Sequence, residues 1–151
     1  MAIQLRDATT DDRDTIIAFD QIAQSDSQRI NFVDRILGSE LCLVAERNGQ
    51  VIAYGVLEYT FFDNGFISMI YVASPERRLG VGSALVEALA DRCKTPKVFT
   101  STNQSNVPMQ RLLERYGFAP SGIIHNLDPR DPELVYVLDR QIERLGPGPE
   151  R

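Results

Sequence analysis

The stretch that decides the fold is Val72–Leu85, VASPERRLGVGSAL, in a chain of 151 residues. It joins an apolar run typical of a strand to an apolar pattern typical of a helix, and Gly80 and Gly82 lie between them. Glycine has no Cβ, so the main chain can approach an anion closely there, and the first N–H groups of the helix point at that anion. Arg77 and Arg78 add positive charge. The stretch therefore predicts a phosphate-binding turn.

Two other glycine-rich turns are excluded by residue identity. A nucleotide-hydrolase phosphate loop needs Lys and then Ser or Thr after its last glycine, whereas Gly82 is followed by Ser83 and Ala84. A dinucleotide fingerprint needs three glycines after the first strand, whereas this stretch has two and follows several predicted strands. The remaining pattern is Arg-x-x-Gly-x-Gly.

This pattern resembles motif A of the GNAT superfamily of N-acetyltransferases, which reads Arg or Gln, two residues, Gly, one residue, then Gly or Ala. A second segment, Asn106–Phe118, NVPMQRLLERYGF, is similar to the family's helix that begins at Asn and closes with Gly-Phe. Either motif alone is weak, but both in this order are specific. The resemblance covers nearly the whole chain, from residue 3 to residue 139.

The predicted order of elements is β-α-α-β-β-β-α-β-α-β-β, which makes the chain an α/β protein with one mixed sheet. The resemblance implies the acyl-CoA N-acyltransferase fold of the GNAT family. We expect residues 1–145 to form a single domain of this type. Residues 146–151, GPGPER, are predicted to be a flexible C-terminal tail because Gly and Pro cannot extend a helix.

Several local boundaries follow from turn chemistry and spacing. The first helix should start at the capping segment Thr9–Asp12 and extend to Ile22. Asn48-Gly49 predicts a type I′ hairpin, and a second hairpin should turn through Asp63–Gly65. The strand Phe66–Val72 is apolar on both faces except at Ser68, which is typical of a central strand.

Composition limits the classes of function. The net charge of −5 and the pI near 4.9 argue against a nucleic-acid partner. The acidity either attracts a cationic amine or only keeps the protein soluble. No apolar run reaches the roughly 18 residues of a membrane span, so we expect a cytoplasmic protein without a membrane partner. Cys42 and Cys93 are predicted to be small buried residues, with no metal site and no disulfide.

The resemblance implies acetyl-CoA as the cofactor. The main-chain N–H groups of Arg78 to Ser83 would hold the pyrophosphate, and the Arg77 and Arg78 side chains would screen its charge. The alternative is a solvated basic turn. The expected cofactor-binding residues are Ile70, Tyr71, Val72, Arg77, Arg78, Leu79, Gly80, Val81, Gly82, Ser83, Asn103, Asn106 and Arg111. For Asn106, a simple helix cap is an equally good interpretation.

The resemblance also suggests catalytic residues. The N–H of Ile70 would stabilise the thioester oxyanion. The family's usual base position is Ser68 here, so Glu58 on the neighbouring strand is the candidate base, against the alternative of an exposed strand glutamate. The family's usual acid position is Leu113, so Tyr116 is the candidate acid, against the alternative of a core aromatic.

His125 is the candidate for binding the acceptor, although a lone histidine is more often structural. The expected activity is acetyl transfer from acetyl-CoA to a primary amine of a small molecule or a peptide by direct attack, and a homodimer is a further expectation. The alternative is a domain that binds acyl-CoA without turnover, because Ser68 and Leu113 replace common catalytic groups.

Overall fold

The structure of the protein, a computed structural model, describes residues 2–140. The last residues of the predicted domain, 141–145, and the predicted tail, 146–151, lie outside the described residues.

Helices and strands follow the predicted order, so the α/β class is confirmed. They are β1 (Gln4–Asp7), α1 (Arg13–Phe19), α2 (Ser27–Ile36), β2 (Cys42–Arg47), β3 (Gln50–Phe61), β4 (Asn64–Val72), α3 (Val81–Arg92), β5 (Lys97–Asn103), α4 (Val107–Tyr116), β6 (Ala119–Ile124) and β7 (Glu133–Asp139).

The strands form one mixed sheet in the order β1-β2-β3-β4-β5-β7-β6. β4 is the middle strand, as its apolar sequence predicts. It pairs in parallel with β5 over Gly65, Phe66 and Ile67, while the pairs β1–β2, β2–β3, β5–β7 and β6–β7 are antiparallel. The residues of β4 beyond Ile67 therefore continue past the end of this parallel register.

The chain divides into two compact units. The first unit comprises Met1–Leu57 and Met69–Asp91. Its core forms between α1, α2 and the strands β2 and β3, and the residues buried there include Ile16, Val33, Ile36, Val44, Tyr54 and Val56. A hairpin with Asn48 at φ 54° and Gly49 at φ 78° joins β2 to β3. Two positive φ values are what a type I′ turn requires, so this prediction is confirmed.

The second unit comprises Glu58–Ser68 and Arg92–Arg151, of which residues up to 140 are described. Its buried apolar residues include Val98, Leu113, Phe118 and Leu138. Asn106 caps the N-terminus of α4, because its side-chain oxygen accepts a hydrogen bond from the Met109 N–H at 3.3 Å. The helix ends at Gly117, which has φ 105°, the left-handed conformation expected of a helix-terminating glycine.

Two predicted boundaries are wrong. The first helix ends at Phe19, and Ile22 is 44% exposed. The reason is Asp20, whose carboxylate accepts hydrogen bonds from the main-chain N–H groups of Ile22 and Ala23 at 3.0 and 3.3 Å and so turns the chain out of the helix.

The second hairpin turns at Phe62 and Asp63, with φ of 51° and 63°, and Asn64 already belongs to β4. The Asn64 side chain donates to the main-chain oxygen of Phe62 at 2.9 Å. The ring of Phe61 stacks on that of Phe66 at 5.0 Å between centroids. These contacts place the hairpin turn one residue earlier in the chain than the sequence predicts.

Candidate active site

The end of β4 leads through a short turn into the predicted phosphate-binding loop. A single 3₁₀ turn, Ser74–Glu76, follows the strand, and the Glu76 N–H donates to the main-chain oxygen of Ala73 at 2.9 Å. The Glu76 carboxylate accepts from Arg47 Nε of β2 at 3.1 Å. This ion pair ties the turn to the sheet of the first unit and positions the loop that begins at Arg77.

The loop presents main-chain donors. Arg78 has φ 67° and Gly80 has φ 84°, so the chain passes through two left-handed residues before α3. The first hydrogen bond of α3 runs from the Ala84 N–H to the Gly80 oxygen at 3.1 Å. The N–H groups of Gly80, Val81, Gly82 and Ser83 precede this bond, and they carry the partial positive charge of the helix N-terminus.

The space around Gly80 suits a bulky anion. A Cβ built on Gly80 would have no atom within 4 Å, so the loop is open on that side. Leu79 is 61% exposed, and the Arg77 and Arg78 side chains are also exposed. Open space beside the N–H groups of the helix N-terminus and the two arginines fits the pyrophosphate of coenzyme A.

Arg77 packs against the strand that precedes it. Its Nε donates to the main-chain oxygen of Val72 at 3.0 Å, and its guanidinium carbon lies 5.3 Å from the centre of the Tyr71 ring. The Arg77 guanidinium is therefore held beside the end of β4, whereas Arg78 has no such contact within residues 2–140.

Asn103 and Asn106, the predicted amide ligands, belong to the second unit and both have protein partners. Asn103 Nδ2 donates to Asp128 Oδ2 at 2.8 Å. The oxygen of Asn106 caps α4, so the helix-cap interpretation of Asn106 is correct. A role in cofactor binding for either amide stays a prediction.

The candidate acid and base also lie in the second unit. Glu58 lies on β3 and is half-buried, and Tyr116 lies in α4 and is half-buried, with its ring 6.2 Å from that of Phe118. At the family's usual positions, Leu113 is 1% exposed, and the Ser68 hydroxyl is buried with no hydrogen-bond partner within residues 2–140. Leu113 is thus a core residue of α4.

Arg111 and His125, the remaining predicted residues, are both exposed. Arg111 lies on α4, and His125 directly follows Ile124, the last residue of β6, so it lies just outside the strand in which we expected it.

A buried polar cluster in the first unit was missed at the sequence level. Asp20 is 0% exposed, and its Oδ2 accepts from Tyr54 Oη at 2.6 Å and from Arg29 Nη1 at 2.7 Å. Burial, and then the hydrogen bond to Asp20, raise the pKa of Tyr54 well above its usual value. The Arg29 guanidinium carbon lies 5.8 Å from the centre of the Tyr71 ring. No local pattern marks these residues, because they come from separate elements.

The fold and the loop together define a class, the acyl-CoA-dependent acyltransferases. Residues 5–118 match the family model described as "Acetyltransferase (GNAT) family", and the chain belongs to this family. It is therefore an acetyl-CoA-dependent N-acetyltransferase. No curated protein sequence matches the chain.

Three examples represent the solved structures that are similar to this chain. A GNAT-family acetyltransferase from Bacillus cereus ATCC 10987 is 30% identical with a TM-score of 0.86, over 93% of this chain and 99% of that one. The ribosomal-protein-S18-alanine N-acetyltransferase of Escherichia coli is 21% identical with a TM-score of 0.76, over 91% and 93%. The protein yncA of Salmonella typhimurium, solved with its cofactor acetyl-CoA, is 20% identical with a TM-score of 0.74, over 93% and 95%. The last two show the fold alone.

Residues 2–140 contain no helix that meets the length and hydropathy of a membrane span. Within the same residues, no three His, Cys, Asp or Glu side chains are grouped as a metal site. Cys42 and Cys93 are both buried free thiols, as predicted.

Proposed function

We propose that this chain transfers the acetyl group of acetyl-CoA to a primary amine and that the loop Arg77–Ser83 binds the coenzyme. The main support for this proposal is the arrangement of main-chain N–H groups at the start of α3. Four main-chain N–H groups precede the first helical hydrogen bond, at Ala84, and they lie beside the open space at Gly80. A doubly charged pyrophosphate satisfies such donors better than water does.

The transfer is a direct substitution at the thioester. The amine nitrogen attacks the carbonyl carbon, a C–N bond forms, the C–S bond breaks, and coenzyme A leaves as a thiolate that takes up a proton. Negative charge collects on the carbonyl oxygen in the transition state. The main-chain N–H of Ile70 on β4 is the proposed donor to that oxygen, with Tyr71 and Val72 beside the pantetheine arm.

Two protons must move. An alkyl ammonium with a pKa near 10 loses a proton at a cost of about 4 kcal/mol at neutral pH. Glu58 is the proposed acceptor of that proton, acting through a water molecule. The nitrogen loses a second proton once the C–N bond has formed, and this proton balances the one that the departing thiolate takes up, for which Tyr116 is the proposed donor. The Ser68 hydroxyl is too weak a base for this step, so a residue other than Ser68 must accept the proton.

The exposed Arg78 and Leu79 complete the loop, and Asn103, Asn106 and Arg111 are proposed to contact the rest of the coenzyme. His125 is proposed to contact the acceptor. The acceptor is a small-molecule or peptide amine.

The substitution Gly82→Asp tests the coenzyme site. A carboxylate in the first turn of α3 interacts favourably with the helix dipole, so the variant should fold. The same carboxylate should repel the pyrophosphate. We expect the Kd for acetyl-CoA, measured by calorimetry, to rise at least about tenfold. Gly122→Asp is the matched control, because a Cβ on Gly122 meets no atom within 4 Å and it lies in β6. Equal affinities for a folded Gly82→Asp variant and the control would contradict the proposed site.

Turnover is tested by the release of free thiol from acetyl-CoA in the presence of a panel of amines. Thiol release that depends on the amine supports the enzyme. Tight binding of acetyl-CoA without thiol release for any amine would instead favour a domain that binds acyl-CoA and does not react.

The candidate base is tested with Glu58→Gln. We expect the rate to fall most at mildly acidic pH, where more of the amine is protonated. The control is Glu40→Gln, since Glu40 is exposed in the loop before β2. An unchanged pH profile would remove Glu58 from the mechanism.

A further inference from the structure

Two arginines flank one tyrosine ring at the end of β4. The guanidinium carbons of Arg29, from α2, and Arg77, from the loop, lie 5.8 and 5.3 Å from the centre of the Tyr71 ring. Tyr71 is itself fixed, because its hydroxyl accepts a hydrogen bond from the Gln21 N–H at 3.0 Å. Both positive charges are therefore held at one place in the first unit.

Only one of these two charges is neutralised by the protein. Asp20 pairs with Arg29 at 2.7 Å and is 0% exposed, so it has no access to a ligand. Glu76, next to Arg77 in sequence, pairs with Arg47. Within residues 2–140 no carboxylate pairs with Arg77, so the cluster carries one uncompensated positive charge in a chain of net charge −5.

Both guanidinium groups retain donors for a ligand. Within residues 2–140 every hydrogen bond of Arg29 is donated by Nη1, so Nε and Nη2 can still donate to a ligand. The Arg29 side chain is 15% exposed. Arg77 uses only Nε, to the Val72 oxygen, which leaves both of its terminal nitrogens. Forked donors of this kind match the two oxygens of a carboxylate.

The position of Tyr71 relates this cluster to the reacting atoms. It follows Ile70, the proposed donor to the thioester oxygen, and a strand advances only about 3.3 Å per residue. An amine that attacks the thioester carbon next to Ile70 would thus carry substituents, a few bonds from its nitrogen, that reach Arg29 and Arg77. A second ammonium group there would meet positive charge, whereas a carboxylate would be bound.

We propose that the acceptor is a small primary amine that carries a carboxylate, that is, an amino acid or a close analogue, and that Arg29 and Arg77 bind this carboxylate. The inference rests on the proposed function and adds a substrate class to it. It opposes the simpler expectation that an acidic protein selects a cationic amine such as a polyamine.

The test uses acceptors that differ only in the carboxylate. Lysine, lysinamide and cadaverine form one set, and ornithine and putrescine form a second. We expect kcat/KM for thiol release to be at least about tenfold higher for the amino acid than for its amide or its decarboxylated partner, as charge-assisted hydrogen bonds imply. Equal values, or higher values for the diamines, would overturn the inference.

Two variants assign the effect to the arginines. At saturating acetyl-CoA, Arg77→Met should remove the preference, so that the ratio of kcat/KM for lysine to kcat/KM for cadaverine falls towards one. Arg78→Met is the matched control, since it removes a loop arginine that does not contact Tyr71 and should keep the preference. Arg29→Lys keeps a positive charge beside Asp20 but removes the paired guanidinium donors that match a carboxylate, so it should raise KM for the amino acid several-fold.

Affinity for acetyl-CoA separates the two proposals. If Arg77→Met changes only the Kd for acetyl-CoA and leaves the carboxylate preference intact, the inference fails while the coenzyme site stands. If no amine releases thiol, the proposed function fails, and the inference is then decided by calorimetric binding of lysine and cadaverine to the protein with coenzyme A. Equal binding of the two would overturn it.

Discussion

The buried pair Asp20–Arg29 should be the most sensitive ionic contact of the first unit. Asp20→Asn keeps the shape of the side chain and removes its charge, which leaves Arg29, with only 15% of its side chain exposed, without a counter-ion. Breaking a buried pair on one side costs about 3–5 kcal/mol, and the residual exposure of Arg29 places this case near about 3 kcal/mol. Tyr54→Phe removes one hydrogen bond to the same carboxylate and should cost about 1–2 kcal/mol.

These energies can be measured by thermal and urea unfolding. For a domain of this size, about 3 kcal/mol corresponds to a fall in Tm of about 6–12 °C. Asp34→Asn is the matched control: Asp34 also pairs with an arginine, Arg13, but both side chains are more than 40% exposed. A surface pair is screened by water, so the Tm of this control should stay close to that of the wild type. If Asp20→Asn lowers the Tm no more than Asp34→Asn does, the assignment of stability to the buried pair is wrong.

Three further predictions follow from burial and charge. Burial raises the pKa of the Cys42 thiol to about 12, so Cys42 should resist a disulfide reagent at pH 8 in the native protein and react after denaturation. The hydrogen bond from Arg6 lowers the pKa of Asp12, so its stabilising effect is present above the unfolded value of about 3.9 and is lost as the pH falls below it. Acid titration of Asp12→Asn should accordingly show a shallower loss of stability than the wild type below pH 4. A Cβ on Gly55 would lie 2.9 Å from a leucine side chain of α3, so Gly55→Ala should lower the free energy of unfolding by about 1–3 kcal/mol, measured in urea.

The order of elements was predictable because it depends on local periodicity and turn chemistry. Asn48-Gly49 adopts its hairpin conformation, and Gly117 ends α4, because few other residues tolerate positive φ at those positions. The end of the first helix was not predictable, since it depends on the carboxylate of Asp20 being buried between Arg29 and Tyr54. That burial requires three elements to meet.

The candidate site likewise has one part that the sequence predicted and one part that it did not. The loop from Arg77 to Ser83 could be proposed from the sequence because an anion site at a helix N-terminus uses consecutive main-chain groups, whose spacing can be seen in the sequence. The sequence did not predict that the Arg77 side chain packs against the Tyr71 ring. A long side chain adopts the rotamer that its neighbours in space allow, and the neighbours of Arg77, Val72 and Tyr71, come from β4.

The sequence by itself therefore determined the family and the succession of strands and helices, and it predicted the turn that we propose as the coenzyme site, since each depends on residues close together in the chain. Only the tertiary structure decided that β7 lies between β5 and β6, that Leu113 is core, and that Arg29 joins Arg77 around one aromatic ring. These features depend on contacts between residues far apart in sequence, and the energy of such contacts exists only once the chain has folded.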